Sequence, residues 1–306
     1  MQEYTFYKIT ENEFEKLIPL MQNCFGMDVN VEYFRWKFLD NPAGSFIGFV
    51  AEHKSTGMIS AYYGVIPEKY NLIDKECVLY QSCDTMTHSE HRRKGLFNKL
   101  ARVCYEYLEK NEELNVFGFG GENSTPGFIK MGWEIHSHFK ILFIPYFLCL
   151  SNKKINLNHS EKLNSNLISF ISKQKCESKK TLDIKFLNWK FNNPLFNYHF
   201  VWHEENERIN SLLIYKIENK KIIIIEIIGE CNLIILIKYA KTIVKKKKLK
   251  GILFYIDDRM IYKYLKLGFV FNPFKFGPFS TKIPFITLMK NKNVNWTPSM
   301  IEHDAI

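Results

Sequence analysis

What this chain of 306 residues lacks removes several classes of function at the outset. Its seven cysteines (Cys24, Cys77, Cys83, Cys104, Cys149, Cys176 and Cys231) are odd in number and scattered, and none forms a Cys-x-x-Cys pair. That usage argues against a disulfide framework and against a zinc–thiolate site, and for free thiols in a reducing cytoplasm. No stretch reaches the roughly 18 apolar residues that span a bilayer; the nearest, Ile141 to Leu150, contains Pro145. The opening segment MQEYTFYKITENEFEKL has no basic flank leading into an apolar core, so no secretory signal is expected. Helix-turn-helix, zinc-finger and other nucleic-acid motifs are missing too, and specific DNA or RNA binding is not expected. A cytoplasmic protein without a metal is the expectation.

Acidic residues are scarce in one half only. Residues 1–150 carry 15 basic and 19 acidic side chains and residues 151–306 carry 27 and 13, so −4 and +14 make up the net +10. The excess suits an anionic substrate such as a nucleotide-sugar, a phosphorylated lipid carrier or nucleic acid, although the Lys245 to Lys248 run reads first as a solvated helix end. With 46% apolar and 15% aromatic residues there is ample material for packed cores, and the length fits two domains or one elaborated one.

The richest stretch is YQSCDTMTHSEHRRKGLFNKLARVCYEYLEK, Tyr80 to Lys110. Val78 to Thr87 is rich in β-branched and aromatic residues and reads as a strand, and Ser89 to Gly95 breaks that pattern. From Leu96 the apolar positions Leu100, Val103, Cys104 and Tyr107 follow the period of a helix packed on a sheet. The helix therefore starts at Gly95, and its first N–H groups, at the positive end of the dipole, can receive a pyrophosphate flanked by Arg92, Arg93 and Lys94. Gly95 lets the backbone come close to the phosphates. His91 and Glu90 read as capping or solvent-facing residues at this helix start.

Arg92-Arg93-Lys94-Gly95-Leu96-Phe97 resembles the (Gln/Arg)-x-x-Gly-x-(Gly/Ala) signature of the GNAT superfamily of acyl-CoA-dependent N-acetyltransferases, with Phe97 standing where the family has Gly or Ala. Variants of this kind are familiar among GNAT-like proteins encoded with bacterial surface-glycan genes. The second half of the family's pattern follows: a strand at Asn115 to Phe119, a turn holding Asn123, and a short helix ending in Gly132-Trp133. The family's thiolate-protonating Tyr is replaced by Phe128. The resemblance implies that acetyl-CoA or another acyl-CoA is the co-substrate, contacted by Thr85, Met86, Thr87, Arg92, Arg93, Lys94, Gly95, Leu96, Phe97, Asn123 and Phe128.

An internal repeat extends the pattern over the whole chain. YFRWKFLDNP (Tyr33 to Pro42) is echoed by FLNWKFNNP (Phe186 to Pro194), and Phe128 to Trp133 by Tyr264 to Phe269. The second copy lacks Arg-x-x-Gly before its helix. The expected fold is mixed α/β, two tandem GNAT-like domains, each a mostly antiparallel sheet flanked by helices. Residues 1–150 would hold the acyl-CoA site, 151–182 form a linker with at most one short helix near Leu167 to Ile171, and 183–306 form a degenerate copy, with the acceptor in the cleft between the copies.

For the chemistry, the resemblance implies that a backbone N–H within Thr85 to Thr87 stabilises the oxyanion formed when an amine attacks the thioester. Such a donor is worth about 3 kcal/mol. The amine must be neutral, so a base is expected. Asp84 and His88 on the first strand, Glu122 after the second, and the tail residues Glu302, His303 and Asp304 are the candidates. The expected acceptor is a small amine, an amino sugar or nucleotide-sugar by analogy. A non-catalytic CoA-binding protein and a protein lysine acetyltransferase are the alternatives.

Overall fold

A computed structural model of the chain describes residues 3–72, 75–149, 155–174, 180–229, 232–271, 282–289 and 298–303. They fall into two units: Met1–His136, Asn192–Leu195 and Ile286–Val294 make the first, and Ser137–Phe191, Phe196–Phe285 and Asn295–Ile306 the second.

The first unit runs β1 (Tyr4–Lys8), α1 (Phe14–Phe25), α2 (Val31–Phe38), β2 (Ile47–His53), β3 (Ile59–Leu72), β4 (Lys75–Thr87), α3 (Leu96–Asn111), β5 (Asn115–Phe119) and α4 (Thr125–Lys130). Strands β1 to β4 are successive antiparallel neighbours, and β5 joins β4 in parallel. A parallel neighbour needs a crossover, and α3 supplies it. Its apolar stripe buries Leu96, Leu100, Ala101, Cys104, Tyr105 and Leu108 in a core with Val65, Val116 and Trp133. Each large side chain buried there contributes about 1.5–3 kcal/mol, so the stripe fixes where the α3 N-terminus points. Burial pushes the Cys104 thiol up to about 12, which leaves it unreactive.

The second unit runs β6 (Glu134–Pro145, in this unit from Ser137), β7 (Asn158–Ser160), α5 (Ser165–Ser172), α6 (Ile184–Phe191), β8 (Tyr198–Glu205), β9 (Arg208–Glu218), β10 (Lys221–Gly229), α7 (Leu233–Lys246), β11 (Gly251–Asp257), α8 (Ile261–Leu265), β12 (Val270–Phe271) and β13 (Lys282–Met289), whose residues from Ile286 belong to the first unit. Its strands lie in the order β6-β11-β10-β9-β8-β7, antiparallel except for β10 and β11. Isoleucines crowd β10, and α7 buries Leu233, Leu236, Ile237, Ala240 and Val244 against them.

Both units repeat one order of elements: α2-β2-β3-β4-α3-β5-α4 in the first and α6-β8-β9-β10-α7-β11-α8 in the second. In each, the strands flanking the long helix are the parallel pair. The architecture is mixed α/β with a mostly antiparallel sheet flanked by helices, as expected. The polar segment read as a connection with one short helix contains α5 and also β7, which pairs with β8. Three polar residues carry no strand pattern, and β7 exists because β8 offers it an edge. Among the described residues Cys24, Cys77, Cys83, Cys104 and Cys149 are free thiols, while Cys176 and Cys231 lie outside them. No described helix is long and apolar enough to cross a membrane.

Candidate active site

The site is built at the end of β4. Gly64 pairs with Cys83 and Tyr62 with Met86, so Asp84 and Thr85 together face Tyr63. This is a β-bulge, and Asp84 takes φ +45° to make it. The Asp84 Oδ2 lies 2.7 Å from Lys37 Nζ, and Lys37, from α2, is fully buried. Lys37 also donates to the Tyr33 hydroxyl at 3.3 Å. A buried ammonium thus anchors the bulge from beneath.

The ladder between β4 and β5 ends before the bulge. Their ladder holds Tyr80 with Val116 and Gln81 with Phe117, whereas β4 runs on to Thr87. The His88 N–H bonds the Ser60 carbonyl on the β3 side. Strand alternation then turns the Thr87 N–H to the opposite edge, where an extended ligand can add as a strand. Thr85 and Thr87 are half-buried and Met86 is buried.

Eight residues, 88–95, connect β4 to α3. Asn23 ties the start of this loop: its side chain accepts from Ser89 N–H at 2.9 Å and donates to the Ser89 hydroxyl at 3.2 Å. His91, expected to cap the helix start or face solvent, is buried and bonded through Nδ1 to the Tyr4 hydroxyl at 2.6 Å. Burial first, then the Lys94 charge and the nearby histidines, hold its pKa below the ordinary value. Glu90 is exposed as expected.

Arg92 returns its Nε to the Thr87 carbonyl at 3.3 Å, and Arg93 and Gly95 both take left-handed conformations, φ +63° and +75°. The first helical bond of α3 runs from Lys99 N–H to the Gly95 carbonyl, so the N–H groups of Leu96, Phe97 and Asn98 precede the ladder. A Cβ on Gly95 would meet nothing within 4 Å. Glycine is needed there for its φ and for what approaches from outside. Arg92, Arg93 and Lys94 are exposed around it, and helix N–H groups flanked by basic side chains are the kind of donor set that a pyrophosphate fits.

Phe97 and Phe128, the two departures from the family pattern, explain one another. Their rings meet edge to face at 5.0 Å, and Phe128 also packs on Trp133 at 4.7 Å. A Cβ on Gly127 would lie 2.5 Å from the Phe97 ring, so the α4 glycine makes room for the larger side chain. Phe128 is buried and sits in a cluster with Tyr63, whose hydroxyl is 3.0 Å from that of Tyr105. The Trp133 indole N–H donates to the same Tyr105 hydroxyl at 3.0 Å. Tyr105, Tyr63 and Lys37 are residues that the sequence did not single out. Glu122 and Asn123 are exposed in the turn after β5, which Thr125 closes by donating to the Gly121 carbonyl at 2.7 Å. His88 is half-buried and accepts the Glu90 N–H at 3.4 Å.

The second unit keeps the frame and not the site. Three residues, 230–232, stand between β10 and α7 where the first unit has eight. The β10–β11 ladder stops after three pairs, as the β4–β5 ladder stops after two, and β10 again bulges, between Ile224 and Glu226. Here a C-terminal turn, Met300 to Glu302, packs on β10, with Met300, Ile301, Glu302 and His303 all buried. Glu302 accepts the Ser299 N–H at 2.8 Å, and Lys190, the counterpart of Lys37 in the Trp-Lys-Phe repeat, donates to the His303 carbonyl at 2.5 Å. The tail's candidate bases Glu302 and His303 are thus packed inside the second unit. Asp304 lies outside the described residues.

Residues 5–136 match the family model of the acetyltransferase (GNAT) domain. The first unit is a GNAT domain. No curated protein matches the chain by sequence. Among solved structures it is similar to a tandem GNAT protein from the clavulanic acid biosynthesis pathway, at 12% identity and TM-score 0.68, covering 97% of this chain and 100% of that one. It is similar as well to the N-myristoyltransferase of Saccharomyces cerevisiae with bound myristoyl-CoA, at 12% identity and TM-score 0.65, covering 98% and 80%. A third likeness is to the GCN5-related glucosamine N-acetyltransferase region of a fungal multi-domain β-N-acetylglucosaminidase, at 11% identity and TM-score 0.60, covering 93% and 38%.

Proposed function

We propose that this protein is an acyl-CoA-dependent N-acyltransferase that acetylates the amino group of a sugar or nucleotide-sugar, with the first unit as the catalytic copy and the second as a degenerate one in tandem. The observation that carries this reading is the bulge of β4, the end of its ladder with β5 at Gln81, and the glycine loop of Arg92 to Gly95, all on one strand–helix junction. In this reading the pyrophosphate of acetyl-CoA docks on the N–H groups of Leu96 to Asn98, and the pantetheine arm extends along the Thr85 to Thr87 edge. The neutral amine attacks the acyl carbon while a β4 N–H holds the oxyanion. The C–S bond then breaks, and the thiolate leaves with the proton that the amine gave up.

Glu122, exposed beside the turn after β5, takes the base role. Asp84 is a positioning residue, because its carboxylate is already engaged by Lys37. The thiolate needs no dedicated acid, since a thiol of pKa near 8.5 is a tolerable leaving group at neutral pH. The basic excess of residues 151–306 favours an acceptor that carries phosphate, and the glucosamine acetyltransferase likeness favours an amino sugar.

Thiol release from acetyl-CoA, measured with a free amino sugar, a nucleotide-linked amino sugar and a lysine peptide, tests the proposal. Turnover with either sugar bears it out. Turnover confined to the peptide makes the protein a lysine acetyltransferase, and acetyl-CoA binding without turnover on any amine makes it a non-catalytic CoA-binding protein.

A further inference from the structure

Cysteine spacing excludes a thiolate site, but two groups of histidine and carboxylate ligands stand close together among the described residues: His88, Glu90 and His91, and His159, Glu161 and His199. In the first, Nδ1 of His91 is taken by Tyr4 and Nδ1 of His88 by the Glu90 N–H. The second group lies in the second unit, far in sequence from the acyl-transfer site, and is built differently.

Strand β7 pairs with β8 in the register Asn158 to Trp202, His159 to Val201 and Ser160 to Phe200. One step further sets Glu161 opposite His199. Since side chains alternate along a strand, His159 and Glu161 share a face, and cross-strand partners share it too. All three ligands therefore project from one face of the two-stranded edge. Their donor atoms lie within 4.8 Å of one another, and His199 Nδ1 is 3.6 Å from Glu161 Oε1. Ligands held at about 2.0–2.1 Å from a tetrahedral ion stand about 3.4 Å apart, so the exposed His159 and Glu161 side chains need only rotate inward.

His199 is the preorganised member. It is 9% exposed, its ring stacks on Tyr215 at 4.8 Å and 21°, and its Nδ1 is buried without a hydrogen bond, facing the two outer ligands. A buried imidazole nitrogen left in that state costs stability unless something takes its lone pair.

We infer that His159, Glu161 and His199 form a binding site for a first-row divalent cation, zinc by its preference for two imidazoles and a carboxylate with water completing the shell. The ion ties β7, held to the sheet by three residue pairs, to β8. It stabilises the edge of the second unit and takes no part in acyl transfer.

Calorimetric titration of the full chain with Zn2+ tests this, with Co2+ as a spectroscopic probe. One site per chain of micromolar affinity is expected, and it gives the visible absorption of a four-coordinate Co2+ ion. His159→Ala and Glu161→Gln, both at exposed positions that leave the fold intact, should each weaken it by at least about tenfold. Zn2+ should raise the melting temperature of the parent and not of His159→Ala. His88→Ala should keep the site. Absence of any site tighter than about 1 mM overturns the inference, as does a site lost in His88→Ala and unaffected by His159→Ala.

Discussion

Replacing Lys37 with Met is the sharpest perturbation of the site's foundation. The Lys37 ammonium is fully buried, the Asp84 side chain is 9% exposed, and their charged atoms are 2.7 Å apart. Lys37→Met preserves the volume of the stem and leaves the carboxylate in place under a bulge that cannot open to water. Removing one member of a buried pair costs about 3–5 kcal/mol, whereas replacing both with neutral groups is close to balanced. For a domain of this size each kcal/mol moves the melting temperature by about 3 °C, so Lys37→Met should lower it by on the order of 10 °C. The double variant Lys37→Met/Asp84→Asn should recover more than half of that. Differential scanning calorimetry of the parent, both single variants and the double closes the cycle. Function separates anchoring from stability alone. With the bulge relaxed, the Thr85 to Thr87 donors lose their aim and kcat should fall about 100-fold, while acetyl-CoA affinity, set by the loop at Arg92 to Gly95, stays within a few fold. A single variant melting within about 2 °C of the parent would refute the buried pair, and a double variant no more stable than the worse single would refute the coupling.

Gly95→Glu forces a β-carbon into φ +75° and sets a carboxylate beside the pyrophosphate, so acetyl-CoA binding by calorimetry should vanish; unchanged affinity would move the phosphate site elsewhere. Gly127→Ala places its new carbon 2.5 Å from the Phe97 ring and should destabilise the fold by about 1–3 kcal/mol, with Phe97→Ala in the same chain relieving the clash; no rescue would mean that the two rings do not share that space. Glu122→Gln should lower kcat and leave the KM for acetyl-CoA nearly unchanged. Full turnover of that variant from pH 6 to 9 would show that the amine arrives neutral and that positioning suffices.

The junction of β4 and α3 was legible because each of its parts has a local signature. A β-branched run, a polar break, a glycine and a 3.6-residue period sit within Val78 to Tyr107 and need nothing from the rest of the chain. The repeat was legible for the same reason, through Trp36-Lys37-Phe38 and Trp189-Lys190-Phe191. What the sequence hides is the partner of each lysine. Nothing near Lys37 points to Asp84, and nothing near Lys190 points to the His303 carbonyl, because those contacts are made by chain that returns from another part of the fold. His91 reads as a capping or solvent-facing residue at the helix start, yet β1 brings Tyr4 over it. Likewise β7 carries three polar residues and is a strand only because β8 has an open edge, and that pairing assembles His159, Glu161 and His199.

The two lysines also state what a copy must keep to stay catalytic. In the first unit the buried ammonium is spent on a carboxylate within the bulge, which leaves the edge of β4 beyond it open to a ligand. In the second unit the equivalent ammonium holds a backbone carbonyl of the C-terminal tail, and Met300 to Glu302 packs against β10. Burying Met300 and Ile301 there is worth about 1.5–3 kcal/mol for each side chain. An acyl-CoA arm would have to displace that packing, and with three residues between β10 and α7 it would find no loop to receive its phosphates. Loss of the loop removes the anchor, and gain of the tail makes the loss stable. Under the proposed assignment of catalysis to the first unit, a copy so altered contributes surface and charge instead of a second reaction centre, with the basic excess lying in residues 151–306.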